Sequence, residues 1–208
     1  MDAIIFDLDG TLWNATKPAF KALRHIEDKY GAQATDYDTF CSLMGKQMDE
    51  IAQKTMKGLA QEKKMELFQE FYTLELALIR QEGSLLYPDM VSTLKKLKDL
   101  YPLFIVSNCQ EGYIETFLQT HGLEDLFVDH LCWGERKRPK GENLLYIMKK
   151  HGLKNPIYVG DTRGDEIAAD FAGINFYYVD FGFGQAKKPF RRISSYKQLE
   201  QELLTVMK

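Results

Sequence analysis

The residues of this chain best suited to chemistry fall in three short segments. Asp7-Leu8-Asp9-Gly10-Thr11 carries two carboxylates two positions apart, and Ser107-Asn108 sets a hydroxyl beside an amide. Gly160-Asp161-Thr162-Arg163-Gly164-Asp165 adds two more acids. Residues i and i+2 of an extended segment point to one side, so Asp7 and Asp9 repel each other unless a proton or a cation lies between them. Gathered with Asp161 and Asp165 at one edge, they invite a hard divalent cation. Mg²⁺ favours a few carboxylates completed by water and phosphate oxygens. Alone, Asp-x-Asp-Gly is as readily a turn with capping acids. Three segments ending in reactive residues carry more weight than any one of them.

Periodicity shows which elements must position these residues. Ala3-Ile4-Ile5-Phe6, Leu103-Phe104-Ile105-Val106 and Ile157-Tyr158-Val159 are apolar runs that stop at Asp7, Ser107 and Gly160. Such runs mark strands buried on both faces of a parallel sheet. Phe176-Tyr177-Tyr178-Val179 reads as a further strand and Leu131-Cys132-Trp133 as another candidate. Helical spacing fills the intervals, through Val91, Leu94 and Leu97, then Ile114, Phe117 and Leu118, then Leu144, Ile147 and Met148, then Ala168, Ala169 and Ala172. Ser195 and Gln198 are spaced as a capping box for a last helix. The alternation predicts an α/β, Rossmann-like, doubly wound parallel sheet, in which ligands sit beyond the carboxyl ends of the strands. From about Pro18 to Glu82 the alternation stops and only helical spacing remains, as in Phe20, Leu23, Ile26 and Tyr30. The expected division is a core of residues 1–17 and 83–208, interrupted by an all-helical insertion of residues 18–82.

In order and position, Asp7-Leu8-Asp9-Gly10-Thr11-Leu12, Ser107-Asn108, a downstream lysine and Gly160 to Asp165 resemble the four motifs of the haloacid-dehalogenase-like hydrolase superfamily. The insertion after the first motif resembles the helical cap of its phosphoglycolate-phosphatase-like and β-phosphoglucomutase-like branch. The likeness covers nearly the whole chain. It implies a Mg²⁺-dependent phosphatase acting on a small phosphorylated metabolite. Asp7 would be the nucleophile, forming an aspartyl-phosphate, and Asp9 the general acid and base. The Asp7 side chain, the Asp9 main-chain carbonyl and Asp161 would hold the metal, with Asp165 in support. Thr11, Ser107, Asn108 and Lys140 would surround the phosphoryl group.

The lysine departs from the branch's usual Lys-Pro-x-Pro, since the chain reads Lys137-Arg138-Pro139-Lys140-Gly141. Aligning on the proline places Arg138 there. Aligning on the Lys-Gly that opens the helix places Lys140, whose compact ammonium suits a phosphoryl site. Lys137 is a third candidate. Asn14 also stands where many relatives carry an acid. The motifs do not separate a phosphatase from a phosphomutase. A phospho-acceptor module shares acids and lysine at a sheet edge but lacks the insertion and Asp-x-Asp-Gly-Thr, and a non-catalytic phosphate binder is a further alternative. Asp9 disfavours dehalogenase and phosphonatase readings.

Composition sets outer bounds. The 208 residues are 45% hydrophobic and 27% charged, with formal net charge −3, as in soluble globular domains and unlike a basic nucleic-acid binder. No apolar run approaches the ~18 residues of a membrane span, and the first residues show no signal-peptide pattern. Cys41, Cys109 and Cys132 are few and widely spaced, which suits a reducing cytosol. A cytoplasmic enzyme without nucleic-acid or membrane partners is expected, with oligomeric state and substrate left open. The basic clusters around Arg136 and Arg191 read as solvated surface, Cys109 as an inert thiol, and His25, His121, His130 and His151 as surface or helix-end residues. Gly182-Phe183-Gly184 reads as a turn at the rim of the site. Lys46, in a loop of the insertion, is a candidate to face substrate.

Overall fold

The computed structural model describes residues 1–46 and 48–205. The chain starts with β1 (Ile4–Phe6), turns through the first acidic segment into the short β2 (Trp13–Asn14), and enters four helices. These are α1 (Thr16–Tyr30), α2 (Tyr37–Cys41), α3 (Met48–Lys54) and α4 (Gln61–Glu82). It returns through β3 (Leu85–Leu86), α5 (Met90–Lys98), β4 (Leu103–Ser107), α6 (Tyr113–His121), β5 (Asp129–Cys132) and α7 (Trp133–Arg136). It ends with α8 (Lys140–His151), β6 (Ile157–Gly160), α9 (Arg163–Ala172), β7 (Asn175–Val179), β8 (Arg191–Ile193) and α10 (Tyr196–Thr205).

Six strands form one sheet in the order β5-β4-β1-β6-β7-β8, all paired in parallel. After β5 the chain crosses from one side of β1 to the other, and this reversal makes the crevice where ligands bind in open α/β sheets. Phe6 pairs with both Ile105 and Val159, so Asp7, Ser107 and Asp161 leave the sheet at one edge. Alternate residues of β1 feed opposite layers. Ile4 and Phe6 pack with Leu94, Phe117 and Leu199, and Ile5 packs with Leu144, Ile147 and Ala169. Each such buried aliphatic or aromatic side chain contributes roughly 1.5–3 kcal/mol over exposure. With both faces covered, the sheet is a rigid base for the loops at its edge.

The insertion has its own apolar core, including Leu23, Ile26, Phe40, Met56 and Phe68. α1 opens at Thr16, ahead of Pro18, because a first-turn proline lacks only an N–H that has no helical partner. The buried Glu27 carboxylate accepts from Thr35 N, Thr35 Oγ1 and Met56 N, tying the first helix to the loops that follow. β2 and β3 pair antiparallel, Trp13 opposite Leu86, so the two crossings between sheet and insertion run side by side. β5 stops at Cys132, and Trp133 begins α7 instead of extending the strand. Among the described residues no helix is long and apolar enough to cross a membrane.

Candidate active site

β1, β4 and β6 end side by side, and the residues that follow them converge. Lys140, the first residue of α8, donates from Nζ to Asp7 Oδ1 at 2.7 Å and to Asp165 Oδ1 at 2.6 Å. All three side chains are buried. Burial works against the charge on Lys140, but the carboxylates of Asp165 and Asp7 overcome it and hold the ammonium charged. The other two candidates for this position, Arg138 and Lys137, are exposed, and Lys137 lies over the Trp133 ring at 4.1 Å.

Asp7, Asp161 and Asp165 offer carboxylate oxygens within 4.8 Å of one another. Three acids therefore face one ammonium. Burial, then the Asp165 carboxylate, pushes Asp7 up to about 7 against the pull of Lys140. Burial, then Asp165 and Asp7, raises Asp161 well above the usual carboxylate range. Asp165 is heavily bonded: Oδ1 also accepts from Tyr158 OH at 3.3 Å, and Oδ2 accepts from Thr162 N at 2.9 Å and Thr162 Oγ1 at 2.7 Å. It thus fixes both Lys140 and the first turn of α9. Asp7 Oδ2 and Asp161 Oδ1 are buried without a hydrogen-bond partner. Two free anionic oxygens in a site with surplus negative charge fit a hard divalent cation.

Local backbone brings the acids this close. Gly10 has φ +82°, and a Cβ there would stand 2.2 Å from Asp161 Oδ2. A Cβ on Gly182 would meet Asp161 Cβ and Oδ2 at 2.3 Å. Glycine at both places lets two loops close on Asp161, and Phe183 N donates to Asp161 Oδ2 at 2.6 Å. The Gly182-Phe183-Gly184 turn thus lies against the acids. The Thr11 carbonyl accepts from Tyr196 OH at 2.7 Å, anchoring the first loop to α10, while Thr11 Oγ1 is buried and unpartnered.

Asp9 stands outside the three-acid group. Its Oδ1 accepts from Trp13 Nε1 and from Tyr113 OH, each at 2.9 Å. Burial pushes its carboxyl up to about 6 against these two bonds. The two rings pack edge to face at 5.3 Å. Sequence reasoning missed both donors. Trp13 lies just past the first motif, but Tyr113 begins α6 with no motif to mark it.

Ser107 and Asn108 complete the edge. Asn108 Nδ2 donates to the Gly45 carbonyl in the insertion at 3.1 Å, and its Oδ1 has no partner. Asp7, Asp9, Ser107 and Asn108 line one wall of a cavity of ≈ 60 Å³, which the insertion covers with Phe40, Met44, Phe71, Tyr72 and Glu75. Lys46 reaches the same cavity. Gln110 Nε2 donates to Glu75 Oε2 at 2.6 Å across the gap. Burial, then the neighbouring Cys132, keeps the Cys109 thiol well above its ordinary range and so protonated. The three-acid group contains no histidine: His121 packs on Trp13 and His151 pairs with Asp129.

Comparison with known proteins shows the family of the chain. The haloacid dehalogenase-like hydrolase family model matches residues 4–179. Phosphoglycolate phosphatase of Vibrio parahaemolyticus is 27% identical over 199 residues, covering 88% of this chain and 86% of that protein. The crystal structure of a predicted phosphoglycolate phosphatase from Haemophilus somnus superposes with a TM-score of 0.85 at 23% identity, covering 100% of this chain and 98% of that one. β-Phosphoglucomutase from Clostridium difficile superposes at 0.80 with 22% identity, covering 99% and 96%. At these identities the two structures establish likeness of fold.

Proposed function

The chain belongs to the haloacid dehalogenase-like hydrolase family and is a phosphatase; on that premise we propose that it hydrolyses small phosphorylated metabolites with Mg²⁺, through an aspartyl-phosphate on Asp7. The observation that carries the reading is the buried group Asp7, Lys140, Asp161 and Asp165 at the ends of three parallel strands. The relatives named phosphoglycolate phosphatases support the reaction class.

In this reading an Asp7 oxygen attacks phosphorus and the ester oxygen leaves. Asp9 gives that oxygen a proton, and its carboxyl, raised to about 6, holds one in an appreciable fraction of molecules near neutral pH. A water then attacks the aspartyl-phosphate, Asp9 takes the water's proton, and phosphate and free Asp7 result. Lys140 neutralises phosphoryl oxygens without losing its own charge, and Thr11, Ser107 and Asn108 offer polar groups around them. Asp7 and Asp161 would hold the metal, with Asp9 contributing its main-chain carbonyl and Asp165 supporting from beside them. Bound there, Mg²⁺ supplies positive charge that favours ionised Asp7 and offsets charge on the transferring group. The helical cap, residues 18–82, would exclude water from the closed cavity. The cavity of ≈ 60 Å³ has room for only a few waters, and movement of the cap would enlarge it for substrate.

The test is a phosphate-release screen over phosphorylated metabolites, with Mg²⁺ and with EDTA. The reading expects release with Mg²⁺ that EDTA abolishes. Full activity in EDTA contradicts the metal assignment, and isomer formation without free phosphate identifies a phosphomutase.

A further inference from the structure

Glu166 comes directly after Asp165, and the chemistry above gives it no task. It lies in the first turn of α9, yet it is only 1% exposed. Its two oxygens leave the helix for the loop between β7 and β8. Oε2 accepts from Lys187 N at 2.8 Å, and Oε1 accepts from Lys188 N. Arg163, one turn back, pairs with Oε2. A carboxylate taken out of water needs charged or N–H partners in place of the water. Here two of those partners are consecutive backbone N–H groups of a loop.

That loop, residues 180–190, contains no helix or strand, so it holds its shape through individual ties. At its start Phe181 packs against Tyr87 and Tyr196, with ring centroids 4.7 and 5.8 Å apart. In its middle Tyr178 OH donates to the Gly184 carbonyl at 3.0 Å. Toward its end Glu166 grips two N–H groups. Between these ties lies the stretch that meets the acids. Gly182 leaves no room for a side chain beside Asp161, and Phe183 N donates to Asp161 Oδ2 at 2.6 Å. Asp161 Oδ1 is buried and unpartnered. Among the described residues, the Phe183 N–H is therefore the hydrogen bond that orients the Asp161 carboxylate.

Resting on the metal assignment in the reading above, we propose that Glu166 is a positioning residue for the divalent cation. It holds the 182–188 segment so that the Phe183 N–H fixes Asp161 Oδ2 and leaves Oδ1 for the metal. Glu166 touches neither metal nor substrate. It acts through the backbone of Lys187 and Lys188, then the Phe183 N–H, then Asp161. Groups that orient a metal ligand commonly set tenfold or more of the metal affinity. Without Glu166 the loop loses its charged tie, and the Asp161 side chain gains rotamer freedom that metal binding must then remove. The bonds from Lys140 to Asp7 and Asp165 do not pass through this loop. Loss of Glu166 should therefore weaken metal binding more than it slows the metal-loaded enzyme.

The experiment titrates Mg²⁺ into the intact protein by calorimetry, for wild type, Glu166→Gln and Glu166→Ala, and records the melting of each in EDTA. Glu166→Ala should weaken Mg²⁺ binding by about tenfold. Glu166→Gln keeps the size and one acceptor oxygen, so it should fall between the two. In p-nitrophenyl phosphate assays the Mg²⁺ concentration giving half the maximal rate should rise in the same order, by a larger factor than kcat at saturating Mg²⁺ falls. A merely structural carboxylate would lower the melting temperature in EDTA and leave the Mg²⁺ dissociation constant alone, and that result overturns the proposal. If Glu166→Ala does not fold, Glu166→Gln decides, and wild-type Mg²⁺ affinity in it overturns the proposal. Hydrogen exchange of the wild-type protein adds a test without a variant: protected amides at Phe183, Lys187 and Lys188 support the tie, and amides exchanging as in an unstructured loop overturn it. If wild type binds no Mg²⁺, the metal assignment fails and this proposal with it. If Mg²⁺ binds and the variants weaken it, but no ester is hydrolysed, the phosphatase reading alone fails.

Discussion

The ammonium of Lys140 stands 2.7 Å from Asp7 Oδ1, although the two residues are 133 positions apart in sequence. The contact places a buried cation against the carboxylate proposed to attack phosphorus, and of the basic residues at 137, 138 and 140 it is Lys140 that touches Asp7. Lys140→Met should lower kcat on p-nitrophenyl phosphate by about 10²–10³-fold, the usual scale for losing one charge-stabilising donor. Arg138→Met should stay within about twofold, because Arg138 is exposed. The reverse ranking in steady-state assays would return the role to Arg138.

Tyr113 and Trp13 both donate to Asp9 Oδ1, and such bonds favour the ionised carboxyl. Removing one should raise the Asp9 pKa. A general acid must start protonated, so kcat/KM falls as pH rises through that pKa, about 6 in the intact protein. In Tyr113→Phe, which keeps the ring against Trp13, the falling limb should move to higher pH by about one unit. A pH–rate profile with the limb unmoved or shifted down contradicts the role given to Asp9.

Three buried carboxylates around one ammonium cost stability unless a cation joins them. Thermal melting should therefore occur at higher temperature in Mg²⁺ than in EDTA, by several degrees at saturating metal. Asp161→Asn removes one of the repelling charges. It should melt above wild type in EDTA and respond less to Mg²⁺. Equal Mg²⁺ responses in the two proteins would remove Asp161 from the metal site.

Glu75 links stability to pH. Its folded-state carboxyl is raised from 4.5 to about 8, chiefly by burial. Between those values the folded chain holds a proton that the unfolded chain has released, so the Glu75 contribution to stability falls as pH rises and levels off above about 8. Relative to wild type, Glu75→Gln should gain stability steadily between pH 5 and pH 8. Denaturant titrations at those two pH values measure the difference, and a parallel pH dependence in both proteins would show that Glu75 is not buried as described.

Much of this site was legible in the sequence, for a physical reason. Strands buried on both faces leave continuous apolar runs, and a run that stops at Asp7, Ser107 or Gly160 marks the edge where the loops meet. Lys140 could be placed only by weighing alignments, because the bond that singles it out joins distant elements. Tyr113, Trp13 and Gln110 left no trace in spacing. They act by hydrogen bonds that exist only once α6 and the insertion have packed on the sheet. The same holds for β2, β3 and β8, which at two or three residues are too short to show a period, and for α7, where Trp133 turns a strand-like run into helix.

The central claim is that Asp7 carries the phosphoryl group, and Asp7→Asn tests it most directly. The substitution keeps size and an oxygen for Lys140 while removing the nucleophile. With Mg²⁺ present, phosphate release from p-nitrophenyl phosphate should vanish while the melting transition stays cooperative. Release by Asp7→Asn at a rate close to wild type would contradict the account.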